Sequence, residues 1–298
     1  MLIVYNPTAG GRARSLRARG LWQVVDLLLA NGMRLDLAET RSPGHAAMLA
    51  REAVRGGAEQ VVAAGGDGTI AEVASGLLGS TARLGIIPLG TANVLARELA
   101  LSFAPYPIAA ALAFGRTCRL WPGLARSEGL GEAARERLFV QMLGVGFDAQ
   151  VVHRLSLPLK RAIGRGAYVL QGFREMARYA YPAIRMRVDG VSVEAGSAII
   201  SKGRLYAGPY TLAPDATPGE PGFCVALFEH GGAAATLMYG AALPLNRLHR
   251  VPGLRLLRAR CIELLDSPGI PAQADGDPAG HTPLSVTDAP EPLSVVIG

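Results

Sequence analysis

Apolar positions in the first third of the chain follow two alternating rhythms. Leu2-Ile3-Val4-Tyr5, Gln60 to Ala64 and Leu84 to Ile87 are short, mostly apolar runs bounded by turn formers, the pattern of buried strands. Between the first two, Leu21, Val24, Val25, Leu28 and Leu29 recur at helical spacing, and Gly32 closes that helix. Met33, Leu35 and Leu37 alternate with Arg34 and Asp36, which predicts a strand over 33–37. Met48, Leu49 and Val54 then mark a second helix ending at Gly56-Gly57, and Ile70 to Leu78 a third. Repeated β-α units joined by short turns predict a parallel sheet covered on both faces, with ligands at the carboxyl ends of its strands. Asn6 and Thr8 follow the first strand, Thr40 the second, Asp67 and Thr69 the third, and Thr91 and Asn93 the fourth.

From about Trp121 the rhythm shortens. An Arg- and Glu-rich stretch at 126–137 leads into short apolar runs at Val140 to Leu143, Ala183 to Val188, Ala198 to Ser201, Thr211 to Ala213, Phe223 to Phe228 and Leu254 to Leu257. These predict a second, mainly β domain, with 150–180 as its one long helical stretch. The expected division is an α/β domain over 1–122 and a β-rich domain over 123–283, with the tail from about 284 to 298 packing back on the first.

A chain of 298 residues, half of them hydrophobic, buries enough surface for two cores. The longest charge-free apolar run, Gly231 to Leu245, is too short to span a bilayer and is flanked by Glu229, His230 and Arg247. The opening residues carry no secretory pattern, and three widely separated cysteines form neither a disulfide framework nor a zinc spacing. These features suit a cytoplasmic protein. The formal charge is +6, and of the 30 basic residues only Lys160 and Lys202 are lysines. Arginines cluster at Arg12, Arg14, Arg17 and Arg19, and again with His249 at Arg247, Arg250, Arg255, Arg258 and Arg260. An anionic membrane or phosphate partner would favour such clusters, and solvated faces explain them equally well. Nucleic acid is disfavoured, because aromatics are 6% of the chain and do not interleave with the arginines.

The chemistry concentrates in Val61-Val62-Ala63-Ala64-Gly65-Gly66-Asp67-Gly68-Thr69-Ile70-Ala71. A buried strand runs into glycines, a carboxylate, a hydroxyl and a helix, the arrangement of a phosphate-holding loop. Asp67 beside phosphates is repulsive unless a divalent cation or a proton intervenes, which points to metal-dependent phosphate chemistry. A P-loop is excluded locally, since no Gly-Lys-Ser/Thr follows. Gly66 to Ala71 fits the dinucleotide pattern, but Leu84 to Asn93 lacks the ribose-binding acid that pattern requires.

Asn6-Pro7-Thr8-Ala9-Gly10-Gly11, Gly65-Gly66-Asp67-Gly68-Thr69 and Pro88-Leu89-Gly90-Thr91-Ala92-Asn93 together resemble the diacylglycerol kinase catalytic family, especially its bacterial lipid kinases. The resemblance continues in Gly144 to Ala149, Gly164 to Tyr168, Lys202-Gly203-Arg204 before Ala213-Pro214, and Gln273 to Asp277. It implies an NAD kinase/diacylglycerol kinase-like fold: an α/β nucleotide-binding domain with a parallel sheet, a sandwich-like β domain, and an active site in the cleft between them. It further implies ATP and Mg²⁺ as cofactors and a lipid acceptor met at an anionic membrane surface, and leaves a homodimer open. By position, Asn6, Thr40, Gly65, Gly66, Asp67, Gly68, Thr69, Thr91 and Asn93 would hold ATP, with Asp67 organising Mg²⁺ or its waters. The acid closing the family's Asp-Gly-Glu motif, which looks like the base that deprotonates the lipid hydroxyl, is here Asp277, one methylene shorter. Asp275 is the secondary candidate.

A second departure concerns a structural Mg²⁺ in the β domain. Where the family usually has an Asp-Gly pair, this chain reads Pro218-Gly219-Glu220-Pro221-Gly222, leaving Glu220 or Asp215 as the oxygen ligands. Asn6 and Asn93 equally suit turns or helix caps, and Asp275 and Asp277 an Asp-Gly turn. Thr40 also suits a loop leading to a helix N-terminus. Against the lipid kinase stand two alternatives, a catalytically weak nucleotide- or lipid-binding protein and a soluble NAD-type kinase.

Overall fold

The computed structural model describes residues 1–10, 14–127, 135–156, 164, 166–265 and 269–298. Gly11 and Arg12, most of the 126–137 stretch, Lys160 and Arg165 lie outside the described residues, as do the side chains of Arg14 and Arg17. The chain divides into two compact units, one comprising Met1–Leu120 and Glu291–Gly298 with Gly164, the other formed by the described residues from Trp121 to Pro290.

The first unit begins β1 (Leu2–Tyr5), α1 (Arg14–Ala30), β2 (Asp36–Glu39), α2 (His45–Arg55), β3 (Gln60–Gly65), α3 (Asp67–Leu77) and β4 (Arg83–Pro88). It continues with α4 (Val94–Glu98), α5 (Pro105–Phe114) and β5 (Arg116–Leu120). β1, β2, β3 and β4 run parallel in the order β2-β1-β3-β4. β3 is buried at every position, which is why it reads as one apolar run rather than an alternation: helices cover both faces of the sheet. On one face, Leu21, Val24, Val25 and Leu28 of α1 meet Ile108, Ala109 and Leu112 of α5 over Ile3, Val62 and Ile87. A strand over residues 293–297 is inserted beyond β4, parallel to it through Val295 and Leu84 and antiparallel to β5.

β2 starts three residues later than the alternation of Met33, Leu35 and Leu37 predicts. The Met33 N–H donates to Leu28 O at 3.1 Å, closing α1 around the left-handed Gly32, so Met33 belongs to the helix exit. Pairing with β1 begins only at Asp36.

The second unit contains β6 (Gly123–Ser127), β7 (Arg135–Phe139), β8 (Met142–Val145), α6 (Phe147–Arg154), α7 (Gly166–Met176), β9 (Ile184–Val188), β10 (Val191–Ala195) and β11 (Ser197–Ser201). β12 (Leu205–Tyr206), β13 (Tyr210–Thr211), β14 (Phe223–Phe228), α8 (Ala233–Ala242) and β15 (Leu254–Ala259) follow. β16 (Cys261–Leu264), β17 (Pro271–Ala274), β18 (Asp277–His281) and β19 (Leu284–Asp288) complete it, and the strand Leu293–Ile297 of the first unit is β20. Two six-stranded antiparallel sheets, β10-β9-β16-β19-β6-β7 and β15-β14-β11-β8-β17-β18, enclose one core. Ile184, Met186, Val188, Ile262 and Val286 come from the first sheet, and Leu143, Val145, Ile200, Val225 and Leu227 from the second. β9 shows why: its side chains alternate buried and exposed, the mark of a sheet with one wet face. Among the described residues the expected helical stretch contains α6 and α7, and residues 284–288, which the sequence grouped with the tail, form a strand of this unit.

Among the described residues no helix is long and apolar enough to cross a membrane.

Candidate active site

At the carboxyl end of β3, two loops meet backbone to backbone. The Leu89 and Gly90 N–H groups both donate to Gly65 O, at 2.8 and 3.0 Å. A Cβ on Gly90 would lie 2.4 Å from Gly66 Cα, a separation real atoms do not adopt, so glycine is required for the approach. α3 then starts at Asp67 with no side chain capping its N-terminus, leaving main-chain N–H groups and a positive dipole end for an anion.

The flanking polar side chains are fixed rather than loose. Asn6 Oδ1 accepts from the Thr8 N–H at 2.9 Å and hydroxyl at 2.8 Å, while its amide donates to Thr69 Oγ1 at 3.4 Å. Asn93 opens α4 in the left-handed region and donates to Gly90 O at 2.9 Å. Its Oδ1 is buried and has no hydrogen-bond partner among the described residues, an acceptor awaiting a donor. The Leu95 N–H donates to Asp67 Oδ1 at 3.3 Å, so one aspartate ties α3 to α4. Desolvation pushes the Asp67 carboxyl above its ordinary value, opposed by the backbone N–H groups around it.

Thus Asn6, Gly65, Gly66, Asp67, Thr69 and Asn93 form one linked cluster with Gly90. The Thr40 N–H continues the sheet to Tyr5 O at 2.9 Å, which places Thr40 at the adjoining strand end, and Thr91 is exposed on the β4 loop. Glycine backbone and an uncapped helix of 11 residues fit a bound phosphate group, while the orphaned Asn93 Oδ1, an acceptor, fits a hydroxyl, amine or water donor beside it. A single carboxylate, Asp67, fits a cation held largely through water. Among the described residues no group of three or more His, Cys, Asp or Glu is arranged to hold a metal directly.

The second unit carries the other acids. Asp275 sits at positive φ between β17 and β18, and its carboxylate accepts from three successive main-chain N–H groups: Val140 at 2.7 Å, Gln141 at 2.9 Å and Met142 at 2.9 Å. That engagement makes Asp275 an anchor of its turn. Asp277 opens β18 with its side chain about 40% exposed and lies 3.8 Å from Arg137 Nη2.

Sequence reading missed the scaffold behind this turn. Gln273 Oε1 accepts from the Gly276 N–H at 2.8 Å, and its amide donates to Asp148 Oδ2 at 2.7 Å. The Tyr206 hydroxyl donates to the other Asp148 oxygen. Desolvation raises the Asp148 carboxyl, offset by those two donors. Residues 148, 206 and 273 are far apart in sequence; the antiparallel pairing of β8 with β17 brings Gln273 beside Gly144, close to the start of the helix that carries Asp148, and Tyr206 comes from β12. The sequence signals were Asp148 inside the Gly144 to Ala149 segment and Gln273 at the start of the Gln273 to Asp277 segment.

Glu220, expected as an oxygen ligand for a structural Mg²⁺, has an exposed side chain, and its carbonyl accepts from Lys202 Nζ at 3.2 Å. The Asp215 carbonyl accepts from Arg258 at 2.7 Å. Basic side chains occupy the main-chain carbonyls of both residues, so these oxygens do not fit that ion.

Comparison with known proteins agrees with this architecture. Residues 1–119 match the diacylglycerol kinase catalytic domain, and residues 141–297 the YegS C-terminal NAD kinase beta sandwich-like domain. The chain is 32% identical over 277 residues to the Pseudomonas aeruginosa PAO1 protein named "Probable lipid kinase YegS-like", covering 89% of this chain and 85% of that protein. It is 24% identical over 298 residues to a Staphylococcus carnosus diacylglycerol kinase, covering 98% and 93%. A crystal structure described as a diacylglycerol kinase from Bacillus anthracis str. Sterne superposes with a TM-score of 0.69 at 17% identity, covering 100% of this chain and 96% of that one. Yeast NADH kinase shares the fold more distantly, with a TM-score of 0.53 at 9% identity over 100% of this chain and 83% of that one. The chain therefore belongs to the family that joins a diacylglycerol kinase catalytic domain to a YegS-type NAD kinase-like β-sandwich domain.

Proposed function

We propose that this protein is an ATP- and Mg²⁺-dependent lipid kinase that transfers the γ-phosphate to a hydroxyl of diacylglycerol or a related membrane lipid. The observation that carries the reading is the uncapped start of α3 beside Asp67, set against the glycine contact of the β3 and β4 loops. Phosphoryl transfer needs positioning and charge neutralisation more than covalent help from the protein, so backbone donors, one cation and one base suffice. The N–H groups of Gly66 to Thr69, with Asn6, Thr40, Thr91 and Asn93, hold the nucleotide, and Mg²⁺ supplies charge neutralisation on its phosphates. Asp67 would hold that ion through its water shell. Asp277 accepts the proton of the acceptor hydroxyl, and Asp275, Gln273 and Asp148 hold its turn in place.

A peripheral membrane contact is supported by α8. That helix carries no charge and buries only Tyr239, leaving Leu237 and Met238 about 52% and 40% exposed. Beside it a groove of about 660 Å³, lined by Met238, Leu245 and Val251, is edged by Arg247 and Arg250. Apolar side chains rimmed by arginines suit an anionic lipid surface.

The test is incubation with labelled ATP, Mg²⁺ and a panel of diacylglycerol, sphingoid bases, phosphatidylglycerol and NAD. Label in a lipid is the expected result. Label in NAD alone would move the protein to the soluble NAD-type kinases, and ATP binding without transfer to any acceptor would make it a non-catalytic binding protein.

A further inference from the structure

Lys202 is one of only two lysines in the chain, and its side chain is completely buried. It follows β11 in the sandwich, where an ammonium is costly unless every proton finds an oxygen. Each of its three protons does. Nζ donates to Asp288 Oδ1 at 2.7 Å, to Gly222 O at 2.8 Å and to Glu220 O at 3.2 Å. The Phe223 ring closes the fourth side, its centroid 4.7 Å from Nζ. The second Asp288 oxygen accepts from the Gly222 N–H at 2.6 Å, so carboxylate and loop are locked around the same charge.

This socket has the donor set of a hard-cation site: one carboxylate and two main-chain carbonyls from one loop. The two carbonyls flank Pro221, the position at which the sequence resemblance implied a metal-binding aspartate. With proline there, the socket holds a single formal negative charge, which matches the single charge of an ammonium. A lysine rather than an arginine suits the task, because its ammonium is a compact point charge while guanidinium is a broad fork.

We infer that Lys202 is a built-in cation that replaces a structural divalent metal in the β unit, tying the Glu220–Gly222 loop to the end of β19, so that this unit is stable without bound metal. Burial pulls the Lys202 pKa below its ordinary value, and the Asp288 hydrogen bond and charge oppose that shift. The inference stands apart from the catalytic reading, since its measurements need neither nucleotide nor acceptor.

The test compares melting temperature and bound-metal content of the nucleotide-free protein before and after EDTA, with and without added Mg²⁺ or Ca²⁺. The wild type is expected to retain no stoichiometric divalent ion and to melt at the same temperature throughout. Lys202→Ala is expected to melt about 10 °C lower, because the partly buried Asp288 loses its counter-ion, and to regain part of that loss in Mg²⁺ or Ca²⁺. If it is insoluble, the double variant K202A/P221D, purified in Mg²⁺, is expected to fold and to lose stability in EDTA. A wild-type protein that loses a stoichiometric ion and stability in EDTA would overturn the inference. So would a Lys202→Ala variant as stable as the parent, or one, or its double variant, indifferent to divalent ions.

Discussion

Asp277 and Asp275 are one residue apart from being adjacent, yet their surroundings assign them different work. A carboxylate saturated by three main-chain donors is a poor base, while one at a strand opening with its side chain about 40% exposed can meet a substrate proton. Asp277→Asn is accordingly expected to lower kcat by at least ~10²-fold while leaving the ATP dissociation constant within about twofold. Turnover under saturating ATP, with nucleotide titration alongside, checks both. A second residue-scale effect concerns His281, whose ring packs edge-on against His153 at 5.0 Å. Desolvation and the neighbouring imidazole lower its pKa below 6.5. The folded state therefore binds fewer protons than the unfolded chain just below that value, so this contribution is intact above about pH 6.5 and is lost as pH falls through the folded pKa. Melting temperatures measured from about pH 7.5 to 5 should fall less steeply in His281→Gln than in the parent.

At the scale of elements, the sandwich site depends on close strand packing. A Cβ added to Gly144 of β8 would sit 2.4 Å from Asp148 Oδ2 and 2.6 Å from Gln273 Nε2. Gly144→Ala is expected to cost about 1–3 kcal/mol in chemical denaturation, and to lower activity further by loosening the Asp277 turn. The same network explains which parts of the fold the sequence displayed. β3 and β4 were legible because burial on both faces writes a continuous apolar run, and the phosphate loop because its glycines and helix start are contiguous. β8 was expected at Val140 to Leu143 but occupies Met142–Val145. The N–H groups of Val140 and Gln141 go to the Asp275 carboxylate, more than 130 positions away, instead of to a strand. Thr211 to Ala213 is cut short locally: the Leu212 and Ala213 N–H groups both turn to Arg204 O, and β13 ends at Thr211. Local periodicity cannot register a hydrogen-bond partner supplied by distant chain, which is also why Gln273, Asp148 and the Lys202 socket escaped it.

At the scale of the whole molecule, the decisive element is β20. It lies between β4 and β5, so β5 joins the first sheet only through it. Leu293, Val295 and Val296 are buried there, and at roughly 1.5–3 kcal/mol for each such side chain their loss rivals the ~5–15 kcal/mol that holds a typical domain folded. Deleting Glu291 to Gly298 is therefore expected to unfold the first unit while the β sandwich, which has its own core, persists. Calorimetry should show the loss of one transition, and limited proteolysis a surviving fragment within residues 121–290.

The order of synthesis gives that strand a further meaning. The loop at Gly65 to Thr69 leaves the ribosome early, but the sheet that carries it gains its last interior strand only after the entire sandwich has been made. At roughly 5–20 residues per second, the waiting period is on the order of ten seconds or more, during which β4 presents an open edge to chaperones or to wrong partners. A message broken between codons 290 and 293 thus yields a chain whose sandwich strands are all made and whose first sheet lacks β20.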